Sequence, residues 1–162
     1  MRTRFALLWL LCAAGCSADG LGPNAPEPVA QVDRVHLLLP LNPTADLDGK
    51  PGSDGVMAEV FFERVDRPAG VAVSGTLEVL FYEGVPAPTE LAQKEPFHVE
   101  TFPNATLRRM EGAWMYGISY RIPVAWGPKP PASKSITLVV RYLPPAGPPT
   151  LSRPEAILLR SD

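Results

Sequence analysis

The sequence predicts an all-β protein, a sandwich of seven to eight antiparallel strands, and three observations carry the prediction. Apolar residues recur at every second position in run after run, the signature of a half-buried strand. Helical periodicity is nearly absent. The 20 prolines and 13 glycines fall between the apolar runs, not in one biased tract, so they read as the turns of a folded chain.

Taken in order, Val35, Leu37 and Leu39 form the first apolar row, with Arg34 and His36 pointing the other way. Val56, Ala58, Val60 and Phe62 form the second, opposite Glu59 and Glu63. Leu77, Val79 and Phe81 alternate with Thr76 and Glu78. Trp114, Tyr116, Ile118, Tyr120 and Ile122 make the longest row and are expected to lie on one strand. Ile136, Leu138, Val140 and Tyr142 follow, and Ile157 and Leu159 close the series. Phe97 with Val99 is a candidate further strand, and Leu107 to Met110 another. One short helix is expected over Thr89 to Glu95, with Thr89 as its cap and Pro96 as its stop. Pro40, Pro43, Pro123, Pro128 and Pro154 flank strands, where a missing ladder donor guards an exposed edge. The expected architecture is an immunoglobulin-like sandwich over residues 29–162, with a closed barrel as the competing arrangement.

The formal net charge is -2, without a basic patch, which argues against nucleic acid as a partner. Both cysteines, Cys12 and Cys16, precede the strands, so the strand region holds no disulfide and no thiolate for a metal or redox site. Packing alone must stabilise it.

The richest candidate for ion chemistry is the loop from Asp46 to Gly55 (DLDGKPGSDG), where Asp46, Asp48 and Asp54 could supply oxygen ligands to calcium. It departs from the EF-hand pattern at Gly49, Lys50 and Pro51, and the plainer reading is a solvated loop in which Asp and Gly make turns. No other cofactor is expected. Among the aromatics, Trp114, Tyr116 and Tyr120 share a parity and are expected in the core. Trp126, in a proline-bounded turn, is the candidate for stacking on a glycan, or else covers the core edge. His36 and His98 are the only histidines, and neither sits beside a nucleophile. No G-x-S-x-G elbow, metal cluster or phosphate loop is present, so a non-enzymatic protein is expected.

The N-terminus points to location. Met1 to Arg4 is basic, Phe5 to Ala14 is apolar or small, and Gly15 and Cys16 follow, which together make an export signal over residues 1–15. The apolar stretch of about ten residues falls short of the roughly 20 that a spanning helix needs. Ala13-Ala14-Gly15-Cys16 resembles the lipobox of bacterial lipoproteins, with Ala13 where that family most often has Leu. The resemblance implies that Cys16 receives a diacylglyceryl group and becomes the acylated first residue. It also implies attachment to the cell envelope, and Ser17 after the cysteine favours the outer membrane. The other reading is an ordinary secretory signal that leaves Cys16 a free thiol. Residues 16–28, with three prolines and little to bury, read as a tether.

The order of Val35 to Leu39, the Asp-Gly loop, Val56 to Phe62 and the run Gly75 to Tyr82 is similar to a group of small uncharacterised bacterial envelope lipoproteins. That resemblance implies a membrane-attached sandwich and brings no activity. The expected role is to bind or scaffold another envelope component, a protein or a glycan. The alternative is a module that binds calcium or carbohydrate.

Overall fold

A computed structural model describes residues 26–159. The strands follow the alternating runs because each run can place one apolar row against a facing sheet. In chain order the elements are β1 (Arg34–Leu38), β2 (Thr44–Ala45), β3 (Gly55–Glu63), β4 (Thr76–Glu83), α1 (Pro88–Leu91) and β5 (His98–Phe102). They continue with α2 (Asn104–Leu107), β6 (Glu111–Trp114), β7 (Gly117–Ala125), β8 (Ser135–Leu143), β9 (Thr150–Leu151) and β10 (Glu155–Leu158).

The strands form two five-stranded sheets, ordered β1-β3-β7-β6 and β10-β8-β4-β5, with β2 on β3 and β9 on β8. All strand pairs are antiparallel. The sheets face each other as an all-β sandwich and bury the rows the alternation defines. Val56, Ala58, Val60 and Phe62 from the first sheet, and Leu77, Val79, Phe81, Ile136, Leu138, Val140 and Tyr142 from the second, are essentially inaccessible. Each such large side chain contributes about 1.5–3 kcal/mol by leaving water. Phe62 sits at the centre, edge-on to Tyr120 at 5.4 Å and tilted against Tyr142 at 5.1 Å.

Four local expectations give way. The row from Trp114 to Ile122 is not one strand but a hairpin: Trp114 pairs with Gly117 across a turn at Met115 and Tyr116. Gly117 takes φ +104, a conformation that side chains disfavour, and so the chain reverses there. Tyr120 is in the core, but Trp114 and Tyr116 are exposed. The segment 107–110 is not a strand either. Leu107 ends α2 and plugs the core, completely buried. α1 starts one residue before Thr89, at Pro88, whose absent N–H costs nothing at a helix start. Glu90 then accepts the N–H of Ala87 at 3.0 Å. In β5 the parity is inverted: Val99 faces out, while His98, Glu100 and Phe102 sit opposite the inward residues Phe81, Val79 and Leu77.

The sandwich has two distinct ends. Glu63, Gly117, Thr76 and Leu143 lie at one, together with residues 26–33 and the β6–β7 turn. Gly55, Ala125, Glu83 and Ser135 lie at the other, with the Asp-Gly loop.

Candidate functional site

The second sheet is unusual on its outward side. Leu80 on β4 lies opposite Val139 on β8, and Tyr82 opposite Thr137. Leu80, Tyr82 and Val139 form a small apolar cluster separate from the main core, with Leu91 of α1 packed against it. Together with the proline-rich segment around Pro149 and Pro154, they line an open groove of about 600 Å³. One register step along, Arg141 donates to Glu78 at 2.6 Å, placing an ion pair at the edge of the apolar floor. Burial pushes the Tyr82 phenol above its ordinary range, with Arg141 pulling the other way. An apolar floor, a phenol and a charge pair at the rim form a surface suited to a partner with one apolar anchor and polar flanks. The continuous apolar runs Val79 to Tyr82 and Leu138 to Val140 are the sequence signal for this doubly covered sheet.

The Asp-Gly loop brings Asp46, Asp48 and Asp54 together, each offering a carboxylate oxygen within 4.8 Å of the others. The same carboxylates hold the loop. Asp46 accepts the N–H of Gly49 at 2.7 Å, Asp48 that of Lys50 at 2.9 Å, and Asp54 that of Leu47 at 2.6 Å. Lys50 also donates from Nζ to Asp48 at 2.7 Å, and this bond holds the Asp48 carboxyl below and the Lys50 ammonium above their ordinary ranges. Asp46 and Asp48 are exposed and Asp54 half-buried.

Trp126 is placed by the row it continues. It follows Ile122 and Val124 on the inward face of β7, is 5% exposed and belongs to the main core. Its ring therefore covers the core edge and has no free face for a sugar. Among the described residues the exposed aromatics are Trp114 and Tyr116, packed edge to face at 5.3 Å.

The histidines lie in different sheets. His36 stacks on Phe61 at 4.4 Å and meets the Glu63 carboxylate at 2.8 Å. His98 lies against Phe81 and beside Gly127. Two polar side chains tie separate parts of the sandwich together. Tyr120 accepts the N–H of Val73 at 3.0 Å and donates to Glu111 at 3.1 Å, and burial raises its phenol far above the usual range. Glu100 crosses between sheets to accept the N–H of Ala125 at 2.9 Å. Burial raises its carboxyl, an effect the hydrogen bond opposes.

Cys16, residues 1–15 and the tether up to residue 25 lie outside the described residues. Among the described residues no helix is long and apolar enough to cross a membrane. No protein-family model, curated protein or solved structure matches this chain.

Proposed function

We propose that this chain is a lipid-anchored protein of a bacterial cell envelope, held at the outer membrane through acylated Cys16. In this reading its sandwich is a non-enzymatic module that binds or scaffolds another envelope protein. The groove on the outward face of the second sheet carries the binding half of the proposal, because it sets an apolar floor beside exposed Leu151 and the Glu78–Arg141 pair. The lipobox-like Ala13 to Cys16 carries the anchoring half. We read the fold as immunoglobulin-like. The orders β1-β3-β7-β6 and β5-β4-β8-β10 correspond to the A-B-E-D and C′-C-F-G sheets of that architecture.

The deciding experiment is cross-linking in intact cells, then recovery of the tagged protein and mass spectrometry. One partner cross-linked to the native chain and lost in Leu151→Arg is expected, since exposed Leu151 lines the groove outside the core. A partner recovered equally from both would refute the groove. Cys16→Ala is expected to release the protein into the soluble fraction, and retention in the membrane would refute the anchor.

The calcium reading is favoured by one observation, the convergence of the three carboxylates. It requires millimolar calcium to raise the melting temperature and Asp48→Ala to abolish the rise. An unchanged melting curve removes it.

A further inference from the structure

The β6–β7 turn exposes three consecutive large side chains: Trp114 at 42%, Met115 at 77% and Tyr116 at 62%. Val65, on the turn after β3 at the same end of the sandwich, is 75% exposed. These residues are not loosely held. Gly70 donates its N–H to the Tyr116 carbonyl and accepts the N–H of Ile118 at 2.9 Å, clamping both sides of the turn. A Cβ on Gly117 would come within 2.5 Å of the Gly70 backbone, so the two chains meet more closely than side chains permit. The result is a stiff projection whose tip is apolar and aromatic.

Its position is the second observation. Pro26 and Glu27, the first described residues, line a shallow groove with Arg67 to Ala72. Val29 then donates to the Ala72 carbonyl at 2.8 Å. Ala72 and Gly70 are separated by about 7 Å of extended chain, so the chain comes in beside the base of the aromatic turn. Pro26 is only ten residue steps from Cys16, a reach of at most about 35 Å. The Asp-Gly loop is at the opposite end, beyond the nine residues of β3, about 25 Å further away.

We infer that Trp114, Met115 and Tyr116 form a second membrane contact, seated in the headgroup layer of the bilayer to which Cys16 tethers the chain. This rests on the anchoring reading above. Tryptophan and tyrosine suit that layer because each has an apolar body and a polar tip. Three side chains would hold a free protein on a membrane only weakly. A short tether makes the contact intramolecular, so a weak insertion becomes effective. Charge does not compete with this. Arg64 is paired with Asp66 at 2.8 Å and Arg34 with Glu63 at 3.1 Å, and Arg67 shares its groove with Glu27, so acidic and basic groups alternate here and the contact needs no anionic lipid. The contact orients the domain, with the acidic loop directed away from the surface.

The test is quenching of tryptophan fluorescence in phosphatidylcholine vesicles with brominated acyl chains, using the full chain as cells process it. The mass of its first residue records acylation independently. Trp114 is expected to be quenched and Trp126, buried at the far end, to be spared, so that Trp114→Phe removes the quenching. Met115→Ser with Tyr116→Ser, both exposed, is expected to lose the quenching with the melting temperature unchanged. An acylated protein that floats with vesicles while Trp114 stays unquenched overturns this inference and leaves the anchor standing. A protein without the acyl group that is also unquenched overturns both. Quenching that survives the double variant, or that soluble glycans produce and brominated lipid does not, also overturns it.

Discussion

Two exposed turns lead into the paired strands β3 and β7 from opposite ends of the sandwich, and they are built from opposite materials. The loop before β3 holds its shape with side chains: Asp46, Asp48 and Asp54 all accept hydrogen bonds from the loop's own backbone. The turn before β7 makes its hydrogen bonds through backbone, in the clamp between Gly70 and the residues on either side of Gly117. What a turn uses to hold itself is no longer wholly available for anything else. The acidic loop has its carboxylates occupied internally, whereas the hairpin leaves Trp114, Met115 and Tyr116 free to meet a partner.

The sharpest way to break this contrast is Gly117→Ala. The new Cβ would collide with the Gly70 backbone at a positive φ, so the clamp must open, with an expected loss of about 3 kcal/mol in denaturant unfolding. Tyr120→Phe attacks the same end from inside. It leaves the Val73 N–H and the buried Glu111 carboxylate without their partner, and should cost about 2 kcal/mol by the same measurement. At the other end, Asp54→Ala removes the acceptor for Leu47, and a smaller loss of about 1 kcal/mol is expected.

The smallest effect is a pH dependence at Glu100. Burial raises its carboxyl in the folded state, so the native protein holds that proton more tightly than the unfolded chain does. The stability from this group is full below the ordinary glutamate range and is lost as pH rises through the raised folded value. Because the group is only partly buried, the change should stay under about 1 kcal/mol. Glu100→Gln, which keeps an acceptor for Ala125, should flatten that part of the stability profile, as thermal unfolding between mildly acidic and neutral pH would show.

Most of the sandwich was legible in the sequence because period two is a geometric consequence of the pleat. Val56 to Phe62 and Ile136 to Tyr142 bury the rows their alternation defines. The hairpin escaped the same reasoning for a physical reason. A two-residue turn inverts parity, since Trp114 pairs with Gly117 and so lies on the face opposite Ile118 and Tyr120, yet along the sequence Trp114 and Tyr116 remain in step with both. Gly117 inside that row was the available signal, since a glycine in an apolar alternation marks a turn or a close approach. Trp126 was also readable, by continuing Ile122 and Val124 one step past β7. The groove depends on what α1 and the segment 149–154 happen to cover, and alternation within single strands does not encode that. The grouping of Asp46, Asp48 and Asp54 was visible from spacing, but not their use as acceptors for the loop's own backbone.

One feature of β5 reaches beyond the single molecule. As the edge of its sheet it presents unpaired backbone groups, yet His98 and Glu100 occupy inward positions there. A second copy pairing along that edge would extend the sheet and have to cover the Glu100 carboxylate or draw it away from Ala125. The carboxylate that joins the two sheets within one chain thus also discourages the sheets of neighbouring chains from fusing, where copies are crowded side by side.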